Sequence, residues 1–276
     1  MATRYTSYFS VFLATFFFCC TAESSSVFDC MIEPVQTVDI KSPVVGILDY
    51  VAVRRGENVH KGQVLARLES SAEIAEVEFA HFRSKMTAPE NIAENKIEFA
   101  KGKYLRKKDM NKDNFVPAQE LEEAESELNL AMSELKMANE NKELAELEWQ
   151  HKSSLLKLRT IHSPIDGVVV EQNVYPGEVV GPNSQKANIL KLAQLNPLQA
   201  YVFAPTFAFG KIKPGMKVNI TPELPIGGKY EGVISITDRL IDSASGTFGV
   251  FVELENPNLS VPAGVKCKAK FSVNID

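Results

Sequence analysis

Ser42-Pro43-Val44-Val45-Gly46, running on to Val53, Gly56-Glu57 and Val59, decides the fold because it returns. The second copy reads Ser163-Pro164-Ile165-Asp166-Gly167 and runs on to Val174, Gly177-Glu178 and Val180. The seven identical residues keep a constant offset of 121 positions, without a gap. Self-similarity at a fixed spacing means two copies of one supersecondary unit. Each copy is a run of short strands and turns, below the roughly 40 residues that a chain needs to bury a core unaided. The two are therefore expected to fold against each other as one small sandwich.

What separates the copies, residues 70–159, is long, charged and helix-periodic. Leu121, Leu128 and Leu135 recur every seven residues, as do Ala124, Ala131, Ala138 and Ala145. That heptad spacing keeps a narrow apolar seam on one side of a helix. The seam is expected to shift phase through Leu144 and Leu147 to Leu155 and Leu158, as a stutter produces. Upstream, Ile74, Val77, Phe79, Phe82, Met86, Ile97, Ala100 and Tyr104 suggest a second amphipathic helix, kinked or briefly broken at Pro89. The reversal falls at Asp113-Asn114-Phe115-Val116-Pro117, so the arms run antiparallel and extend roughly 60 Å. Lysines and Arg106 precede the turn and glutamates from Glu120 onward follow it. That pattern reads either as cross-hairpin charge pairing or as a charged tip for another protein.

The 276 residues are 45% hydrophobic and 24% charged, an ordinary globular composition. A net charge of −5, with no basic and aromatic platform, excludes nucleic-acid binding. At the N-terminus Arg4 precedes an apolar run from Tyr8 to Cys20. This run is shorter than the about 20 residues of a membrane span, and fits a secretory leader cut after Ala22. Lipidation at Cys19 or Cys20 is the competing reading, and an uncleaved short anchor a third. Without the leader, Cys30 and Cys267 remain. A disulfide between them is allowed in an oxidising compartment, but a pair of small buried apolar residues is the default.

Residues 28–40 read as one or two short strands. From Pro197 the chain reads as strands Leu198–Ala204, Met216–Thr221, Lys229–Thr237, Thr247–Leu254 and Val265–Val273, with a helical turn at Thr206–Ile212. Five strands at this spacing, closed by the segment near residue 30, make a small β-barrel.

The halves of the repeat, G…V…GE.V…G in 46–62 and SP.DG.V…V..GE.V in 163–180, each resemble a half of the biotinyl/lipoyl domain. No lysine occupies a carrier-type turn, which argues against a carrier of biotin or lipoate. A lipoyl-like sandwich split by a helical hairpin and followed by a barrel resembles the HlyD-like membrane fusion proteins, the periplasmic adaptors of RND-type tripartite efflux pumps. In the barrel, Gly232-Val233-Ile234, Asp238, Gly246-Thr247, Asn256-Pro257 and Pro262-Ala263-Gly264 carry the same likeness.

The expected fold class is α+β: mainly β, with a long antiparallel helical hairpin, a split lipoyl-like sandwich and a small barrel. Its parts are a leader (1–22), a strand segment joining the barrel (23–41), the sandwich (42–69 and 160–195), the hairpin (70–159, tip near 113–117) and the barrel (196–276). The chain stops after the barrel, so a further membrane-proximal domain is not expected within it.

The resemblance implies an adaptor between an inner-membrane RND or ABC transporter and an outer-membrane channel, assembled as a homo-oligomer of six copies. Aligned through residues 116–120, the family's tip contacts fall on Arg106, Met110 and Pro117. Arg106 matches the family's Arg. Met110 replaces Leu with similar volume, and Pro117 replaces Ser, losing a hydroxyl. An adaptor of an ABC-type or protein-secretion exporter is the alternative. No catalytic, cofactor or metal residue is assigned. His60, His81, His151 and His162 are scattered, the methionines form no cluster, and no nucleophile elbow or phosphate loop is present. Trp149, on the register of Leu121, is expected to pack in the seam.

Overall fold

A computed structural model describes residues 26–182 and 188–271. The proposed leader, with Cys19, Cys20 and Ala22, lies outside them. In chain order the elements are β1 (Val27–Pro34), β2 (Thr37–Lys41), β3 (Gly46–Val51), β4 (Asn58–Val59) and β5 (Val64–Leu68). Three helices follow: α1 (Ser71–Ser84), α2 (Ala88–Lys112) and α3 (Ala118–Lys157). The next strands are β6 (Thr160–His162), β7 (Gly167–Gln172), β8 (Val179–Val180), β9 (Asn188–Ala193) and β10 (Leu198–Pro205). A short 3-10 turn at Thr206–Ala208 precedes β11 (Lys217–Pro222), β12 (Tyr230–Asp242), β13 (Thr247–Leu254) and β14 (Val265–Phe271). The chain forms two compact units, Gln36–Gln194 and the remainder.

In the Gln36–Gln194 unit two four-stranded sheets, ordered β2-β9-β7-β4 and β6-β5-β3-β8, close on one apolar core. They are images of each other under the 121-residue offset. Each takes its short edge strand from the other copy: Asn58 and Val59 pair with Val168 and Gly167, while Gly46 and Ile47 pair with Val180 and Val179. With its edge strands exchanged, neither copy completes a sheet by itself.

The conserved-by-repeat residues do matching work in both copies. Ser42 and Ser163 are buried and donate their hydroxyls to the carbonyls of Val44 (2.5 Å) and Ile165 (2.6 Å), closing equivalent side-chain turns. Gly56 and Gly177 sit at φ of 86° and 92°, where a side chain would be strained. Glu57 and Glu178 accept the backbone N–H of Arg54 (2.9 Å) and Tyr175 (3.1 Å) across those turns. Val53, Val59, Val174 and Val180 are core.

The helical insertion leaves from one rung of this sandwich: Arg67 and Thr160 are register partners in the β5–β6 ladder. Pro89 lies in the first turn of α2, and the break falls just before it, at residues 85–87. Both α1 and α2 pack against α3.

In the other unit six antiparallel strands close a barrel in the order β1-β10-β13-β12-β11-β14 around a core that includes Ile32, Val202, Val250 and Phe271. The wet face of β14 is Lys266, Lys268 and Lys270, as its alternation predicts. Asn256 is buried beneath the barrel's end. Its side chain donates to the carbonyls of Leu195 (3.0 Å) and Val261 (2.9 Å) and accepts from the Val261 N–H (3.2 Å).

Several expectations need correction. Residues 23–41 do not act as one segment: β1 belongs to the barrel, whereas β2 pairs with β9 in the sandwich. The cause is a turn at Val35-Gln36, too short to be seen in the hydrophobic pattern. β12 runs five residues past the expected Thr237, with register breaks at Ile234/Ile236 and Thr237/Ile241 that hid its period. Cys30 and Cys267 are not two separate buried thiols: they face each other across β1 and β14 and form a disulfide.

Candidate functional site

The helical hairpin is held by its smallest residues. Ala124, Ala131 and Ala145 are the buried residues of α3, and Ala80, Ser84, Ala93 and Ala100 those of the arm it packs against. Leu121, Leu128 and Leu135 only half-fill the flanks. The expected phase shift of the seam onto larger residues does not occur. Leu144 is 61% exposed, Leu147, Leu155 and Leu158 are exposed as well, and so are Ile74, Phe79, Phe82 and Met86. Alanines let the two backbones approach closely, and a two-helix pair has only one narrow stripe to bury. Larger apolar side chains next to that stripe are pushed outward.

Charge pairs stitch the arms along their length. Arg83–Glu148 (3.0 Å), Lys142–Glu90 (2.6 Å), Lys96–Glu134 (2.6 Å) and Lys103–Glu127 (2.6 Å) lead up to Lys107–Glu120 near the tip. Exposed pairs of this kind fix register more than they stabilise. Trp149 is half-buried, with its ring 4.8 Å from that of His81 and Lys85 Nζ 5.8 Å from its centroid. It braces the end of α1 beside the break and is not enclosed in the seam.

At the base, Arg159 joins rod to sandwich. Its guanidinium pairs with Glu73 of α1 and donates to the Val45 carbonyl (3.2 Å). Glu69, just before α1, accepts the N–H of Ser71 (2.8 Å) and its hydroxyl. These bonds from Ser71 hold the Glu69 carboxyl below its ordinary range.

The tip is a hydrogen-bonded loop. Asn114 takes the left-handed conformation (φ 59°), Phe115 N–H donates to the Met110 carbonyl (2.9 Å), and Asn111 Nδ2 donates to the Val116 carbonyl (2.9 Å). Pro117, in extended conformation, caps α3. Arg106 and Met110, four residues apart, share one exposed face of α2, whereas Pro117 belongs to the other arm across the loop. Among the described residues Arg106 has no ion-pair partner, while Lys103, Lys107 and Lys112 are paired. Between the arms stands Phe115, 76% exposed at the apex. In the sequence it falls inside the reversal, where it reads as part of the turn. The available signal was an aromatic residue in a reversal otherwise made of Asp, Asn and Pro.

The exposed end of the repeat differs between copies. Ile47 and Val179 are register partners and both exposed, as are Val45 and Tyr175. The position matching Val45 is Asp166, which accepts the Lys61 N–H (3.0 Å) and faces His60 (3.4 Å). The backbone donor, ahead of His60, lowers its carboxyl pKa.

A family model described as the CzcB-like, barrel-sandwich hybrid domain matches residues 36–194, more than half of the chain. The chain belongs to the CzcB-like membrane fusion proteins. The cobalt-zinc-cadmium resistance protein CzcB of Cupriavidus metallidurans is 24% identical over 230 residues, covering 83% of this chain and 41% of that one. The pyoverdine export membrane fusion protein PvdR of Pseudomonas aeruginosa is 21% identical over 205 residues, covering 74% of this chain and 52% of its own. This CzcB-like chain thus spans about half the length of the curated relatives it matches. The crystal structure of MacA from Actinobacillus actinomycetemcomitans superposes with a TM-score of 0.77 at 25% identity, over 90% of this chain and 79% of MacA.

Proposed function

We propose that this chain is an exported, non-enzymatic periplasmic adaptor that couples an inner-membrane transporter to an outer-membrane channel for efflux of small molecules. The observation that carries the reading is the preorganised hairpin tip, projecting Phe115 with Arg106, Met110 and Pro117 from a rod rooted in a split lipoyl-like sandwich. In this role Phe115 is the apolar anchor and Arg106 a cation without an ion-pair partner among the described residues, for an acidic group on the channel. The hydroxyl that Pro117 lacks is replaced by aromatic packing.

Exposed apolar side chains along the rod support side-by-side packing with further copies of the chain, as a ring of six places them. Ile92, Phe99 and Leu130 stand on one groove between α2 and α3, and Ile97, Met132 and Leu135 line another. On the barrel, Phe203, Ile236 and Leu240 are exposed around the end of β12 and supply a surface for the transporter. An RND partner is the reading favoured by the barrel motifs, with an ABC exporter the alternative. The cargo is not carried over from the relatives, whose names span metal cations, pyoverdine and macrolides.

The test is complementation of an efflux defect by Arg106→Asp and Phe115→Asp chains that are exported and melt normally. Each is expected to lose resistance and channel co-purification while retaining the transporter. Full resistance with both changes would remove the tip from the docking role.

A further inference from the structure

Cys30 and Cys267 lie at opposite ends of the chain, 237 residues apart, and the entire Gln36–Gln194 unit is inserted between them. Their strands are adjacent in the barrel, the two residues are direct register partners, and their Cα atoms are 4.8 Å apart. Both are core residues, 3% and 2% exposed. The other five barrel strands, β10 to β14, follow one another in the chain, and β1 alone arrives from before residue 36. Closing the barrel therefore means docking β1 between β10 and β14, and the disulfide ties β1 to one of those two neighbours.

We propose that Cys30–Cys267 is an export-dependent lock on the barrel, formed before β1 docks and shielded from thiols afterwards. This inference rests on the exported-adaptor reading above. Thiol–disulfide exchange needs a thiolate to reach a sulfur atom in line. Neither sulfur is reachable in the closed barrel, so the crosslink is made on the open chain.

A protein disulfide oxidant of the oxidising compartment is the co-reactant. One cysteine thiolate attacks a sulfur of the oxidant's disulfide, giving a mixed disulfide and releasing one oxidant thiolate. The second cysteine displaces the other oxidant sulfur. The chain loses two electrons and two protons, and the oxidant leaves as a dithiol. The sequence holds four cysteines, two of them in the leader, so once the leader is removed Cys30 has only Cys267 to pair with inside the chain. The lock ties β1, the strand that precedes the inserted unit, to β14, so β1 cannot leave the barrel without breaking a covalent bond.

The test uses the full chain with its leader, fractionated from cells and acid-quenched, with thiols counted by maleimide labelling and intact mass. The exported chain is expected to show no free thiol, native or unfolded. Dithiothreitol is expected to free both thiols in guanidinium and neither under native conditions over the same time. A Cys30→Ala/Cys267→Ala chain is expected to fold with a barrel melting midpoint lower by roughly 5–15 °C. Two free thiols in the exported chain would overturn the lock but leave the adaptor reading standing. So would reduction as fast in the native as in the unfolded chain, or an unchanged midpoint in the double variant. A chain retained in the cytosol would overturn the adaptor reading, and the lock with it.

Discussion

Asn256 shows how much one buried amide can hold. It satisfies two carbonyls and one N–H that the barrel closes off from water, so its loss strands backbone groups and does not merely remove a contact. Asn256→Ala is expected to cost about 2–4 kcal/mol of barrel stability, read by chemical denaturation. Asn256→Asp should recover little, because an aspartate cannot donate to Leu195 and Val261. Glu69 is the residue whose effect depends on pH. Its carboxyl is held below its ordinary value of 4.5 by the bonds from Ser71, so its contribution is complete above that value. It is lost as pH falls through the lowered folded value. Thermal melts between about pH 5 and 2 should therefore show a shallower acid slope for Glu69→Gln than for the parent. Equal slopes would mean that the carboxylate is not the titrating group. At this scale the sequence was most legible where both copies of the repeat agree. Ser42/Ser163, Gly56/Gly177 and Glu57/Glu178 are turn chemistry that two independent segments retain. Asn256 was visible as part of an Asn-Pro motif, but its reach to Leu195 and Val261 required the fold.

At the level of elements, the hairpin separates what folds from what docks. The seam positions tolerate only small side chains: Ala131→Leu adds volume where α2 and α3 touch, and is expected to destabilise by about 1–3 kcal/mol. The neighbouring Leu130 is 62% exposed. Leu130→Ser is expected to leave the melting curve within about 0.5 kcal/mol of the parent. It should nonetheless weaken self-association measured by sedimentation velocity. A melting loss for Leu130→Ser equal to that of Ala131→Leu would place Leu130 inside the structural seam. The heptad offered two apolar rows for the seam: the alanines Ala124, Ala131 and Ala145 are buried in it, whereas Leu121, Leu128 and Leu135 flank it and the leucines of the expected phase shift are exposed. Spacing reports direction, whereas the distance between two helices is set by the smallest side chains on the shared face. The sequence alone does not say which of two apolar rows wins. The same blindness hid Phe115, since periodicity carries no information inside a turn.

For the chain as a whole, the two units are interleaved: β1 and β2 are neighbours in sequence but serve different units. The boundary was misjudged because both strands alternate with the same period and only their partners differ. The helical insertion is more separable. Its ends leave from the adjacent rung Arg67–Thr160, so replacing residues 70–158 with a short turn closes a hairpin that already exists. Such a chain is expected to keep a cooperative sandwich and lose most of its helical circular dichroism. It should also lose all channel binding. Failure to fold would show that the Arg159–Glu73 clasp and the helix roots are required by the sandwich itself.

The exchanged edge strands carry one more consequence. A peptide holding only the first copy would have β2 and β4 with no sheet to receive them, and a two-stranded β3–β5 ladder with both edges left open. A second, identical peptide supplies both missing pieces under a two-fold axis. A half-length chain is thus expected to assemble as a symmetric pair. Duplication and fusion of such an ancestor would leave one junction free to grow an arm and the other free to continue into a barrel.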